Sequence, residues 1–108
     1  MTEQMTKIRA CSADALEVGS VLQIELEDRD PIALYRISDG YYATDDLCTH
    51  GAAFLSEGDV EDDEIYCPFH AGAFDIRTGE ATAAPCVVAV RAHPVTVEGD
   101  DVYIEISN

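Results

Sequence analysis

Two short stretches, Cys48-Thr49-His50 and Cys67-Pro68-Phe69-His70, are the most informative part of this chain, and sixteen residues separate them. Each stretch offers one cysteine thiolate and one histidine imidazole. All four side chains can converge on one centre, and soft sulfur and imidazole nitrogen both suit zinc or iron. The two cysteines and two histidines are therefore candidate ligands of a single metal centre.

Two kinds of metal centre accept this set of ligands. One is a structural zinc site with four tetrahedral ligands, but zinc fingers place two cysteines together and then two histidines. The other is a [2Fe–2S] cluster in which two histidines replace two cysteines on one iron. Because each half of the pattern mixes one Cys with one His, the pattern favours the cluster and leaves zinc as the alternative.

The C-x-H and C-x-x-H stretches, with Gly after the first His and Pro after the second Cys, resemble the motifs of Rieske [2Fe–2S] proteins. The resemblance implies that Cys48 and Cys67 bind the inner iron and that His50 and His70 bind the outer iron, with one cluster per chain. It also implies an all-β Rieske fold, an antiparallel β-sandwich with an inserted small cluster-binding subdomain.

The pattern of the rest of the chain independently indicates an all-β protein. Asp39-Gly40 between two alternating runs is a strong hairpin signal, and Ser12 is a candidate cap for one helical turn at 12–16. Short strands with regular turn signals predict an antiparallel sandwich or barrel. The predicted strands are 21–26, 32–37, 41–44, 63–66, 73–76, 87–90, 94–98 and 102–106.

Length and composition predict one domain spanning 1–108. The chain has 108 residues, and 47% of them are hydrophobic, which is enough for a core without disulfides. The segment from about 45 to 85 carries both motif halves and is rich in Gly and Ala, which suits tight loops. We therefore expect this segment to form the cluster-binding subdomain.

The charge balance excludes one class of partner. There are 22 acidic and 6 basic residues, a net charge of −16, which argues against binding nucleic acid. Such a charge suits steering towards a basic surface on a partner protein, and Asp45, Asp46 and Glu57 flank the first motif half as candidates for a docking face. No apolar run is long enough for a membrane span, and the N-terminus has no signal-like apolar region, so we expect a cytoplasmic protein.

Four positions distinguish this chain from the high-potential Rieske proteins of respiratory and photosynthetic complexes. Those proteins carry a disulfide between the cluster loops where this chain has Ala53 and Phe69. They also carry Ser and Tyr hydroxyls that bond cluster or cysteine sulfur where this chain has Gly72 and Phe74. Because hydrogen bonds to sulfur raise the potential, their loss implies a low-potential Rieske centre.

A low-potential, single-domain Rieske protein resembles the ferredoxin component of bacterial aromatic-ring-hydroxylating dioxygenase systems. The resemblance covers nearly the whole chain, including the loop at Pro85 that covers the cluster in such proteins. It implies a monomeric electron carrier, not an enzyme, that takes single electrons from a flavin-containing, NADH-dependent ferredoxin reductase. It passes them to a terminal Rieske oxygenase and does not bind the aromatic substrate.

Two other functions stay open at this point: a Rieske-like small subunit of a reductase such as assimilatory nitrite reductase, and a zinc-stabilised binding module. The oxygenase itself is excluded because its iron site needs two further histidines and only His93 remains. We expect His93 to be a surface or packed structural residue. Cys11 and Cys86 are expected to be small buried hydrophobes rather than ligands.

Overall fold

The computed structural model describes residues 5–27, 29–49, 53–68, 72–84 and 88–107. In these ranges the chain is built from strands and two 3₁₀ turns, Ala13–Ala15 and Leu55–Glu57. The strands are β1 (Met5–Ser12), β2 (Ser20–Ile24), β3 (Ile32–Ile37), β4 (Gly40–Asp45), β5 (Asp59–Glu61), β6 (Glu64–Tyr66), β7 (Ala73–Asp75), β8 (Ala81–Ala83), β9 (Ala92–His93), β10 (Val95–Glu98) and β11 (Asp101–Ser107). None of the described residues forms a helix that is long and apolar enough to cross a membrane.

The described strands pair antiparallel in three sheets. Their orders are β1-β11-β10, β2-β3-β4-β9 and β5-β6-β7-β8. The predicted all-β, antiparallel fold is therefore confirmed. The third sheet is formed by strands lying between residues 59 and 83, while the bounds of about 45 to 85 for a cluster-binding subdomain stay a prediction.

Strand β3 lies at the centre of the molecule and is buried on both faces. Side chains alternate across a strand, so Ile32 and Leu34 pack into one core while Tyr35 and Ile37 pack into another. The first core also contains residues of β1 and β11. The second core packs β3 against the third sheet. The second core contains Cys48 and Cys67, so β3 packs in the same core as the two candidate thiols.

The hairpin predicted at Asp39-Gly40 is confirmed. Strands β3 and β4 pair from Ile32 opposite Asp45 to Ile37 opposite Gly40. The strand runs predicted at 21–26, 63–66, 73–76, 94–98 and 102–106 each overlap a strand of similar extent. At the last hairpin, Gly99 has a φ of 62°, a left-handed conformation that glycine adopts without steric cost.

Some sequence expectations were wrong. Residues 88–90 form no strand, whereas 87–90 was predicted as one, and β1, β5, β8 and β9 were not predicted. The helical turn near residue 12 exists as the 3₁₀ turn, but Ser12 makes no side-chain cap. Its hydroxyl oxygen instead accepts a hydrogen bond from Nη2 of Arg9 at 3.2 Å.

Candidate metal centre

The first motif half lies in a small hairpin that follows β4. The backbone N–H of Cys48 donates to the carbonyl oxygen of Ala53 at 2.8 Å, and Leu55 N–H donates to the carbonyl of Asp46 at 2.6 Å. Leu47 and Phe54 pair between these two bonds. Residues 46–48 and 53–55 are thus two short antiparallel stems, and Cys48 is the last stem residue before the tip.

The second motif half has the same construction. Strands β6 and β7 pair up to Tyr66 opposite Ala73, and the next bond joins Cys67 N–H to the carbonyl oxygen of Gly72 at 2.9 Å. In both hairpins the cysteine N–H donates to the carbonyl five residues later. The two candidate thiols therefore occupy equivalent positions at the bases of two tips.

Both cysteines are shielded from water and share one core. Cys48 is 3% exposed and Cys67 is 4% exposed, and they pack with Ala53, Ile65 and Phe74. The structure records both as thiols and not as halves of a disulfide. Two thiols at the bases of twin tips, in an apolar pocket, are a donor set that fits an iron–sulfur cluster.

The predicted histidine ligands His50 and His70 lie outside the described residues, as do Phe69, Pro85 and Cys86. In the sequence, His50 stands between Cys48 and Ala53, and His70 stands between Cys67 and Gly72. Among the residues that are described, no group of three His, Cys, Asp or Glu side chains forms a metal site. The ligation of a metal by all four predicted residues therefore stays a prediction.

The two hairpins are packed against each other at Gly58. This residue ends the 3₁₀ turn that follows the first hairpin, and its N–H donates to Leu55 at 2.9 Å. A Cβ at position 58 would collide with the carbonyl oxygen of Tyr66, the residue before Cys67. The absence of a side chain at 58 thus lets the first hairpin approach the second.

A third segment, residues 88–91, borders the first tip. The hydroxyl of Thr49 donates to the carbonyl of Val88 at 2.6 Å, and the N–H of Asp45 donates to the carbonyl of Arg91 at 2.8 Å. The N–H of Val90 donates to Gly79 at 2.8 Å. Because their backbone bonds go to three separate elements, residues 88–90 do not form the strand that was predicted at 87–90.

The docking role suggested for the three carboxylates near the first tip is wrong for Asp46. Its side chain is fully buried and accepts hydrogen bonds from Gln23 and Ser56. Asp45 is half-buried and lies within ion-pair distance of Arg29 and His93. Of the three, Glu57 is the one that is exposed.

His93 is packed within the fold and Cys11 is buried, as expected. Nε2 of His93 lies 2.8 Å from Oδ1 of Asp45, and its side chain is buried. Burial tends to raise the pKa of Asp45, but the hydrogen bond with His93 and the charges of His93 and Arg29 outweigh it, so that pKa is lowered. Cys11 is buried in the other core, and burial raises the pKa of its thiol.

Most of the cations in the chain are held by its own carboxylates. Arg9 binds Asp101 at 2.8 Å and Lys7 binds Glu98. Arg77 binds both Asp39 at 3.0 Å and Asp63 at 2.7 Å. These ion pairs neutralise the positive charges locally. The carboxylates in excess, a net charge of −16, therefore surround the molecule with a negative potential.

Two features that shape the site were not predicted from the sequence: the role of Gly58 and the buried position of Asp46. Gly58 acts through its closeness to Tyr66, and Asp46 acts as a buried acceptor rather than as a surface charge. The one available signal was the Ser-Glu-Gly run at 56–58, which marks a turn. The local sequence pattern does not indicate which residues that turn contacts.

The chain is similar to proteins of one known family. Residues 6–94 match the family described as Rieske [2Fe-2S] domain. The ferredoxin component of a naphthalene 1,2-dioxygenase system from Pseudomonas aeruginosa is 43% identical over 99% of this chain and 100% of that protein. Ferredoxin CarAc from Metapseudomonas resinovorans is 40% identical over 90% of this chain and 91% of that one.

Solved structures give the same result. The ferredoxin match in a complex of reduced oxygenase and oxidized ferredoxin of carbazole 1,9a-dioxygenase has a TM-score of 0.88 at 40% identity, covering 91% of both chains. A putative nitrite reductase small subunit from Mycobacterium tuberculosis has a TM-score of 0.84 at 24% identity, which shows a shared fold alone. The chain therefore belongs to the Rieske [2Fe-2S] domain family, as one of its electron-transfer ferredoxins rather than as an enzyme.

Proposed function

We propose that this chain is the ferredoxin component of an aromatic-ring-hydroxylating dioxygenase system, carrying single electrons to a terminal Rieske oxygenase. The observation that carries the proposal is the pair of matched hairpins that bring the Cys48 and Cys67 thiols into one core. Relatives at 41% and 43% identity are named as ferredoxin components of dioxygenase systems. A [2Fe–2S] cluster, when bound, supplies reversible uptake of one electron.

We propose Cys48, His50, Cys67 and His70 as the ligands, with one cluster per chain. Each hairpin then contributes one thiolate and one imidazole. The described residues around the thiols exclude water, since Ala53, Ile65 and Phe74 are all buried. Neither Gly72 nor Phe74 offers a side-chain donor to sulfur, which supports a potential at the low end of the Rieske range.

The surface beside the tips suits brief docking. Leu47, Thr49, Pro68 and Val88 are exposed there, and Val88 is 61% exposed. A small apolar end on a strongly acidic body suits an encounter steered by charge and completed by a few apolar contacts. We propose that a flavin-containing ferredoxin reductase and the terminal oxygenase use this end in turn, with the ferredoxin working as a monomer.

Location follows from the proposed electron source. A reductase fed by NADH works where NADH is present, so we propose a cytoplasmic location. The carrier holds electrons at its own centre and does not contact the aromatic compound. The alternative of a nitrite reductase small subunit is weaker, because such proteins match at 24% and 26% identity.

Substitution of the ligands tests the proposal against matched controls. Alanine at 48, 50, 67 or 70 should abolish the iron content and the visible absorption of the purified protein. Cys11→Ala and His93→Ala change a buried cysteine and a buried histidine elsewhere in the fold and should keep iron. Full iron retention in any of the four ligand variants, or one equivalent of zinc in place of iron in the native protein, contradicts the proposal.

A further inference from the structure

Asp46 is a buried carboxylate that is not among the four proposed ligands. It lies two residues before Cys48 and its exposure is 0%. Two extended residues span at most about 7 Å between Cα atoms, so the carboxylate belongs to the immediate surroundings of the candidate centre. A buried carboxylate is costly unless its oxygens are hydrogen-bonded.

Both oxygens of the Asp46 carboxylate accept hydrogen bonds. Oδ1 accepts from the backbone N–H of Ser56 at 2.6 Å, and Oδ2 accepts from the Ser56 hydroxyl at 2.8 Å and from Nε2 of Gln23 at 2.7 Å. All three donors are neutral. They solvate a negative charge without cancelling it, which distinguishes Asp46 from Asp45 with its Arg29 and His93 partners.

These contacts also fix the first hairpin in place. Ser56 follows the return stem, and Gln23 is in β2, so one carboxylate ties both stems of the Cys48 hairpin to the central sheet. The backbone around Asp46 adds two further bonds, from its own N–H to Pro31 at 3.1 Å and from Leu55 N–H to its carbonyl at 2.6 Å. The position of this charge relative to Cys48 is therefore well defined.

The carboxylate of Asp46 lies close enough to Tyr35 to affect the pKa of that phenol. Burial is the main reason that the pKa of Tyr35 is raised, and a hydrogen bond with Thr44 opposes that shift. The negative charge of Asp46 adds to the rise. Tyr35 lies in the same core cluster as Cys48 and Cys67, so Asp46 borders the core that holds the candidate thiols.

We infer that Asp46 is a positioning residue that holds the Cys48 hairpin on β2 and whose buried negative charge lowers the reduction potential of the centre. The inference rests on the proposed function, since it needs a cluster bound at Cys48. An added electron makes the centre more negative, and a nearby fixed negative charge opposes it. Because the carboxylate is out of water, solvent screens this repulsion weakly.

The test is Asp46→Asn in the cluster-loaded protein, with the midpoint potential as the readout. Asparagine has the same shape and can re-form the bonds with Ser56 and Gln23 after rotation of their polar groups. We expect electron affinity to rise about tenfold, which is about 59 mV for a one-electron couple. A potential that is unchanged, or lower, overturns the inference.

Three further variants make the test decisive. Asp59→Asn removes one charge from an exposed residue paired with Tyr66, the neighbour of Cys67, and water should reduce its shift to a small fraction of the Asp46→Asn shift. If Asp46→Asn does not fold, Gln23→Lys places an ammonium beside Asp46 and should raise the potential, whereas the uncharged Gln23→Met should not. Equal shifts for Asp59→Asn and Asp46→Asn, or no rise with Gln23→Lys, overturn the inference. A native protein without iron would instead refute the proposed function.

Discussion

Gly58 lies so close to the carbonyl oxygen of Tyr66 that no side chain fits between them. The contact joins the turn after the Cys48 hairpin to the last residue before Cys67. Gly58 has a φ of −91°, so the requirement for glycine comes from space and not from an unusual backbone angle. This contact sets the distance between the two hairpins that carry the candidate thiols.

Gly58→Ala should therefore separate the hairpins. We expect a loss of about 1–3 kcal/mol in the free energy of unfolding, the usual cost of forcing an extra group into a packed site. The iron content of the purified variant should fall as well, since the two cysteines no longer hold their relative positions. Urea unfolding and iron analysis measure the two effects.

Gly19→Ala is the matched control for this change. Gly19 has a φ of 89° and open space around its Cα, so alanine there costs backbone energy without crowding a neighbour. The control should lose some stability and keep its iron. Full iron content in Gly58→Ala would show that the contact with Tyr66 does not organise the centre.

Val88 beside the first tip should be a docking residue. Val88→Asp introduces a charge into the small apolar end, and we expect the rate of electron transfer with a reductase or oxygenase partner to fall about tenfold, a loss typical of an interface contact worth just over 1 kcal/mol. Stopped-flow absorption measures the rate. Val97→Asp is the control, because Val97 is also exposed but lies on β10. Equal losses in both variants would argue against docking at the tip.

Acidic steering predicts a strong dependence on salt. The screening length falls from about 30 Å at 0.01 M salt to about 8 Å at 0.15 M. The second-order rate constant for reduction by the partner should therefore decrease about tenfold or more over this range. The first-order transfer step within the complex should change little. A second-order constant independent of salt would mean that the net charge serves solubility alone.

Asp45 should make stability depend on pH. Its pKa is lowered in the folded state, so its contribution is fully present above the unfolded value of about 3.9 and is lost as pH falls through the folded pKa. Asp45→Asn should cost about 1.5–3 kcal/mol at pH 7, the range for a hydrogen bond to a charged group. The gap between variant and native protein in thermal unfolding should narrow as pH falls below about 3.9 and through the lowered pKa of the folded state. A gap that persists there would contradict the assigned role of this carboxylate.

Sequence patterns predicted the parts of the fold that local chemistry decides. Asp39-Gly40 specified the β3–β4 hairpin because few other residues suit its turn. The alternation of Val102 to Ile106 specified β11. Strand β1 was missed because it exists through pairing with β11, which lies about ninety residues further along the chain. Strands β5 and β8 are three residues each, and their neighbours in the third sheet define them.

The same distinction holds for the candidate centre. The spacing of Cys and His identified Cys48 and Cys67 as a pair, because ligand chemistry restricts which residues can bind a metal. The role of Asp46 was missed because Gln23 and Ser56, which surround its carboxylate, are 23 and 10 residues away in sequence. Burial of a charge depends on such distant neighbours and cannot be read from the residues beside it.

Anaerobic reductive titration followed by electron paramagnetic resonance tests the central claim most directly. If two cysteines and two histidines hold one [2Fe–2S] cluster, the native protein contains two irons per chain. One electron then generates one unpaired spin per chain, with a rhombic signal whose principal g values average below the free-electron value. A colourless protein, a protein containing zinc, or a reduced protein without that signal would contradict the account.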